Sequence, residues 1–162
     1  MDAALLLGPL YHLTNRDDRV TALREARRVV KPGGVVVAKA LSRFYPLFEQ
    51  IAKGTPVDLG GNATFMDDGQ YRNPGGDPEG FTTSYFHRPE ELTAEVMEAG
   101  LELRTIVAAS GVVRLLPEFA RHMGDPEQRD RILAVLRLVE AEPSTLGMSQ
   151  NFVAIAGVPP KR

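Results

Sequence analysis

The sequence of 162 residues contains no cysteine, which excludes disulfides and cysteine-ligated metals and fits a reducing compartment. With only three scattered histidines, no metal site is predicted. No apolar run is long enough to cross a bilayer, and no basic segment precedes the first run as in a secretory signal. The formal net charge of -2 gives no general attraction for nucleic acid. These absences predict a cytoplasmic protein that binds neither membranes nor nucleic acid.

The apolar pattern of the first forty residues predicts two parallel strands joined by a helix. Residues 3–7 form a continuous apolar run, which is typical of a strand buried on both faces, and Gly8-Pro9 ends it. Apolar residues then recur at helical spacing, and the turn Pro32-Gly33-Gly34 ends that helix. Residues 35–38 form a second buried strand. A strand, a helix and a strand in this order form a βαβ unit, whose strands are parallel neighbours.

Beyond the βαβ unit, residues 44–51 indicate a short amphipathic helix ending near Gly54. Residues 55–80 are rich in Gly, Pro, Asp and Asn, and the segment is too long for an ordinary connection. It is either a cover over an active site or a mobile insertion, and its composition does not choose between the two.

The remaining half of the chain predicts alternating helices and strands. We expect a helix that begins at Pro89 and ends before Gly100, a strand at 101–109, and a short extension or second strand at 112–116. A helix from Asp125 and a last strand at 151–158 follow. The helix from Asp125 is expected to turn four residues inward, namely Ile132, Leu133, Leu136 and Val139. The alternation predicts an α/β fold, and the absence of a repeat or linker predicts one domain over residues 1–162.

Four stretches together resemble the C-terminal half of a class I S-adenosylmethionine-dependent methyltransferase: DAALLLGPLYHL, LREARRVVKPGGVVVAKALSRF, YFHRPEELTAEVMEAGLEL and NFVAIAG. Their order and spacing carry the resemblance, which covers nearly the whole chain. It implies a partial Rossmann-like methyltransferase sheet, made of the equivalents of strands four to seven with flanking helices. The last two of these strands would form a closing antiparallel pair. The resemblance also implies methyl transfer from S-adenosyl-L-methionine to a small-molecule acceptor.

One departure from the family pattern concerns the cofactor. The family places a Gly-x-Gly loop after its first strand and an acidic residue after its second, but here no two glycines are separated by one residue. The resemblance therefore implies a truncated domain that alone binds little or no cofactor. In the family's sheet the strand equivalent to residues 3–7 is central. Without its neighbour it would be an exposed edge, so we expect association through residues 3–7, in a homodimer or with a partner.

The resemblance also assigns candidate site residues to the loop after the first strand. Leu7, Gly8 and Pro9 would border the cofactor, Tyr11 would contact the substrate, and His12 would act as the general base, a role that histidine side chains commonly take near neutral pH. The alternative for Tyr11 and His12 is a structural pair that packs the entry of the next helix.

Three further candidates lie beyond the second strand. Arg43 would hold a substrate carboxylate or phosphate through paired hydrogen bonds, or else be a structural or solvated arginine. Tyr85 and His87 precede a helix and would contact the substrate; the alternative for His87 is a histidine that caps this helix.

Three functions remain open at this point. The first is the methyltransferase, and the second is a non-catalytic methyltransferase-like module that dimerises or pairs through its first strand. A third is half of another doubly wound α/β protein, such as a small reductase, although the missing Gly-x-Gly loop counts equally against it.

Overall fold

The structure, a computed structural model, describes residues 1–54, 56, 59–72 and 82–160. Within these ranges the strands are β1 (Ala3–Leu6), β2 (Val35–Leu41), β3 (Gln70–Tyr71), β4 (Ser84–Tyr85), β5 (Glu102–Ala108) and β6 (Asn151–Gly157). The helices are α1 (Pro9–His12), α2 (Arg16–Val29), α3 (Tyr45–Lys53), α4 (Leu59–Asp68), α5 (Pro89–Glu98), α6 (Phe119–Gly124) and α7 (Pro126–Val139). Two 3-10 helices span Gly111–Leu115 and Pro143–Met148.

The main sheet has the strand order β1-β2-β6-β5. β1 and β2 are parallel, as the βαβ pattern predicts, and they pair in the register Ala3↔Val35 to Leu6↔Ala38. β6 lies antiparallel to both β2 and β5, so the last two strands form the expected antiparallel pair. The α/β fold with a mixed sheet is therefore confirmed.

One face of the sheet is covered by α2 and α5. Alternate residues of the two central strands point to this side, and they pack against the apolar stripes of the two helices. The buried cluster includes Val36, Ala38, Ala40, Phe152, Ala154 and Ala156 from the strands and Leu23, Ala26, Leu92, Val96 and Ala99 from the helices. This layer is the hydrophobic core of the domain.

The opposite face and the β1 edge are incompletely covered. Val37 and Ile155 are half-buried there, and Leu5, which lies beside Val37, is 66% exposed. Leu7, directly after β1, is 47% exposed. Among the described residues β1 pairs only with β2, so its other edge carries backbone groups without a strand partner there, beside exposed leucines. This is the edge that the sequence predicts.

The turn after α2 fixes the start of β1 to the rest of the sheet. Gly33 adopts a φ of 80°, which favours glycine. A Cβ on Gly34 would lie 2.6 Å from the carbonyl oxygen of Asp2, so only glycine allows the turn to approach β1 this closely. The amide of Val35 donates to that same carbonyl at 3.0 Å.

Two sequence predictions in the last third of the chain are wrong. Residues 112–116 form neither a strand nor a strand extension, because a 3-10 helix begins at Gly111 in the left-handed region with a φ of 54°.

α7 begins as predicted, with Asp125 as its N-cap, but none of its residues is buried. Leu133 and Val139 are exposed, and Ile132 and Leu136 are only half-buried, so the helix packs on the surface and not into the core.

The segment 55–80 contains regular structure where it is described. It includes α4 and the short strand β3, which pairs antiparallel with β4. Residues 55, 57, 58 and 73–81 lie outside the described residues, so the choice between a cover and a mobile insertion is not tested there. No helix in the described ranges is both long and apolar enough to span a membrane.

Candidate functional site

The carboxyl ends of β1 and β2 define the candidate site, because open α/β sheets bind ligands at this edge. After β1 the chain turns at Gly8 into α1, whose Leu10 is fully buried and anchors the short helix. Leu7 and Pro9 remain exposed on either side of this turn. The structure thus leaves the three predicted cofactor-lining residues accessible at the expected edge of the sheet.

Tyr11 and His12 lie together on α1. Their ring centroids are 4.6 Å apart, and the ammonium of Lys39 lies 5.5 Å from the centroid of the Tyr11 ring. Tyr11 is half-buried and His12 is exposed. Within the described ranges no hydrogen bond orients the His12 ring, so its role as a general base stays a prediction.

A second segment reaches the same edge. β1 stops opposite Ala38, and beyond that point His87 takes its place beside β2. The His87 amide donates to the carbonyl of Leu41 at 2.8 Å, and its own carbonyl accepts from the amide of Arg43 at 2.9 Å. The predicted substrate residues Tyr85 and His87 are therefore brought to the end of β2, next to Arg43.

Arg43 is buried, and protein acceptors occupy its whole guanidinium. Its Nε and Nη1 donate to three backbone carbonyls, those of residues 66, 67 and 86, at 3.1–3.4 Å. Its Nη2 donates to the Tyr85 hydroxyl at 3.0 Å and to Glu91 at 2.6 Å. This geometry favours the structural alternative, in which Arg43 holds the β3–β4 hairpin against α5.

A buried ion pair that the sequence analysis did not identify lies beneath the loop after β1. Arg19 on α2 and Glu95 on α5 are 2% and 1% exposed, and Nε and Nη2 of Arg19 donate to the carboxylate at 2.9 and 2.7 Å. Nη1 of Arg19 donates to the carbonyls of Leu13 and Thr14, both at 3.0 Å. The ion pair therefore ties the end of the loop to both core helices.

His87 joins this network from the other side. The ring is fully buried, and Nε2 lies 3.2 Å from the Glu95 carboxylate, so Nε2 carries the proton and donates. Burial lowers the pKa of His87, although the hydrogen bond and charge of Glu95 oppose this, and Nδ1 has no hydrogen-bond partner among the described residues. Because Arg88 and not His87 directly precedes α5, the alternative that His87 caps the helix is wrong.

Tyr85 connects the two buried arginines. Its ring lies 3.6 Å from the guanidinium carbon of Arg19 and 5.5 Å from that of Arg43. Its hydroxyl donates to Glu91 at 3.1 Å. Burial and the charge of Glu91 raise the pKa of this phenol, so it stays protonated near neutral pH. Tyr85 is thus held as part of the support for the site.

The residues present fit only part of an S-adenosyl-L-methionine site. The two parallel strands end in Leu7-Gly8-Pro9 and in Ser42-Arg43, and neither end supplies a carboxylate for ribose hydroxyls. Ser42 is fully buried, and its hydroxyl donates to the carbonyl of Gly147. In the described ranges no three His, Asp or Glu side chains are grouped so as to hold a metal ion.

A mixed sheet with a parallel βαβ start and an antiparallel closing pair, with helices packed on one face, defines the class as an α/β fold. No family model and no curated protein matches the sequence. Among solved structures, the chain is similar to a SAM-dependent methyltransferase from Methanosarcina mazei, with a TM-score of 0.56 and 14% identity over 99% of this chain. It is equally similar to an S-adenosylmethionine-dependent methyltransferase from Mesorhizobium loti, with a TM-score of 0.56 and 13% identity over 97% of this chain.

These similarities show the fold, which is that of class I S-adenosylmethionine-dependent methyltransferases, as the four sequence stretches imply. The chain spans 60% of the length of the first of these structures and 61% of the second.

The buried ion pair predicts unequal effects of two substitutions one turn apart on α5. Glu95→Ala should lower the free energy of unfolding by about 3–5 kcal/mol, because it leaves the charge of Arg19 buried without a partner. The matched control Glu98→Ala should cost less than about 1 kcal/mol, because Glu98 and its partner Arg16 are both about half exposed. Urea unfolding followed by circular dichroism measures both. Equal losses would contradict the structure of the network.

His87 predicts a dependence of stability on pH. Its pKa in the folded state lies below the ordinary 6.5, so below that pH the unfolded state takes up a proton that the folded state does not. Stability should hold above pH 6.5 and fall as the pH drops below it. The lowered pKa of Glu95 acts only below its ordinary 4.5, outside this window.

The measurement is urea unfolding at about pH 7.5 and about pH 5.5. His87→Gln, which keeps a donor for Glu95, should flatten the change in stability between these conditions. The control His122→Gln, at a partly exposed histidine of α6, should keep the wild-type change. If His87→Gln and wild type lose the same stability on acidification, His87 is not the group responsible.

Proposed function

We propose that the chain is the acceptor-side part of a methyltransferase that transfers a methyl group from S-adenosyl-L-methionine to a small molecule. The observation that carries this proposal is the β1-β2-β6-β5 order in a methyltransferase fold, with an accessible loop at the end of β1. The cofactor would supply an electrophilic methyl group. A cytoplasmic location accompanies the proposal, since a chain without cysteine suits a reducing compartment.

In this proposal the accessible residues and the buried ones have different tasks. Leu7, Gly8 and Pro9 form the wall beside the cofactor, Tyr11 contacts the acceptor, and exposed His12 accepts the proton that the acceptor's nucleophilic atom releases. Arg43, Tyr85 and His87 act on substrate binding chiefly by holding the loop and hairpin in place, since most of their polar atoms are occupied by the protein.

The truncation belongs to the proposal as well. A further strand would pair with the open edge of β1 and bring the Gly-x-Gly loop and the acidic residue that this chain lacks. The exposed side chains of Leu5 and Leu7 support this, because a strand in mid-sheet has neighbours that bury such residues. About 40% of the length of the similar structures lies outside the part that this chain matches, which leaves room for it.

A non-catalytic module is the second candidate, and the same exposed edge favours it. Self-association through residues 3–7 would cover the leucines without forming a cofactor site. The two candidates differ at the loop after β1: a methyltransferase part keeps a residual affinity for the cofactor there, and a module does not.

The test is a titration of the ¹⁵N-labelled chain with S-adenosyl-L-methionine, followed by its amide chemical shifts. We expect shifts confined to residues 7–13 and 42–43, with a dissociation constant of about 1 mM or weaker, because only one side of the site is present. Leu7→Ala, which truncates a side chain of the proposed cofactor wall, should reduce these shifts, and the control His122→Ala, in the distant α6, should leave them unchanged.

Two results would contradict the proposal in different ways. Micromolar affinity of the chain alone for S-adenosyl-L-methionine would show that it forms a complete cofactor site. Absence of any shift at residues 7–13 at saturating cofactor would favour the non-catalytic module.

A further inference from the structure

A separate cavity opens beside β5, the strand at the opposite edge of the sheet from β1. It has a volume of about 540 Å³ and lies between the first turn of α5, the strand β5 and the segment 141–148. Because β1 and β5 are the two opposite ends of the strand order, this α5–β5 cavity is distinct from the loop after β1. Its volume is within the range of pockets that bind small molecules.

The interior of the α5–β5 cavity is apolar. Leu103 and Ile106 of β5, together with Leu146, form part of its lining, and the last two are buried core residues. Two aromatic rings, those of Phe44 and Phe48, form part of a wall. A surface of this kind binds an aromatic or aliphatic group by removing it from water.

The lining of the α5–β5 cavity includes one carboxylate. Glu90, in the first turn of α5, lines the cavity and forms no ion pair within the described ranges. The neighbouring Glu91 is already bonded to Arg43 and to the amide of residue 88. Arg88 brings a positive charge to the Phe44 ring at 5.6 Å, but its Nη2 donates to the carbonyl of Met66. Among the described residues that line the cavity, Glu90 is the only charged one, so the lining complements a cationic group.

We propose that the α5–β5 cavity binds a small amphipathic amine, with its apolar body against Leu103, Ile106 and Leu146 and its ammonium at Glu90. The cavity lies outside the loop after β1, although its wall residue Phe44 directly follows Arg43 at the end of β2. Thr93 and Ser144 supply polar atoms at the cavity wall, where a second hydrogen bond to the amine can form.

The test uses three probes with the same indole body and different ends: tryptamine, tryptophol and indole-3-propionate. Calorimetry with the wild-type chain should give the order of affinity tryptamine, then tryptophol, then indole-3-propionate. Glu90→Gln should reduce the affinity for tryptamine by about two- to fivefold and leave tryptophol unchanged, because the lost ion pair is partly exposed to solvent. The control Glu102→Gln removes the same charge outside the cavity and should change neither.

Filling the cavity tests its location. Thr93→Phe places a ring in the cavity and should abolish binding of all three probes, and Ser144→Phe at the exposed rim serves as a second variant if the first does not fold. Circular dichroism checks folding in each case.

Three results would each overturn the proposal. They are absence of tryptamine binding at millimolar concentration, tighter binding of indole-3-propionate than of tryptamine, and binding of a probe to a folded variant whose cavity is filled. Titration in the presence of S-adenosyl-L-methionine should give the same affinity.

Discussion

The hydrogen bonding of β1 on one side only is the constraint on which the rest of the structure depends. This strand is the first of a parallel pair, and in the part of the chain that the structure describes its backbone is bonded to β2 but to no strand on its other edge. Its side chains alternate between the core and an incompletely covered face, where Leu5 is exposed. A strand of this composition is stable in the middle of a sheet, and its open edge is therefore the place where we propose that a further element pairs.

The buried polar network explains how the loop after β1 is held despite that open edge. The Arg19–Glu95 ion pair joins α2 to α5, and Nη1 of Arg19 donates to the carbonyls of Leu13 and Thr14. Tyr85 stacks against the same guanidinium, and His87 closes the network behind the carboxylate. Desolvating these charges costs free energy, which their hydrogen bonds and the stacking of Tyr85 offset, so the loop and the two helices are joined by groups that each need their partners.

The sequence predicts the strand order of the first unit well, because Gly8-Pro9 and Pro32-Gly33-Gly34 mark strand and helix ends with local backbone chemistry. It predicts α7 as a helix but not its exposure, because an amphipathic pattern does not reveal whether a core is present for it to face. The 3-10 helix at Gly111 was missed because its apolar residues also fit a short strand. The helical spacing does indicate that Arg19 and Glu95 face the core. Arg19 lies four residues before the core residue Leu23, and Glu95 lies three residues after the core residue Leu92.

The most direct test of the account is the association state of the chain over a wide range of concentrations, measured by sedimentation velocity. The open edge of β1 predicts a sedimentation coefficient that rises with concentration, and Leu5→Lys, which places a charge on the edge strand, should give a folded monomer. Leu138→Lys makes the same change at an exposed leucine of α7 and should associate like wild type. A wild-type chain that remains a monodisperse monomer throughout would contradict the account.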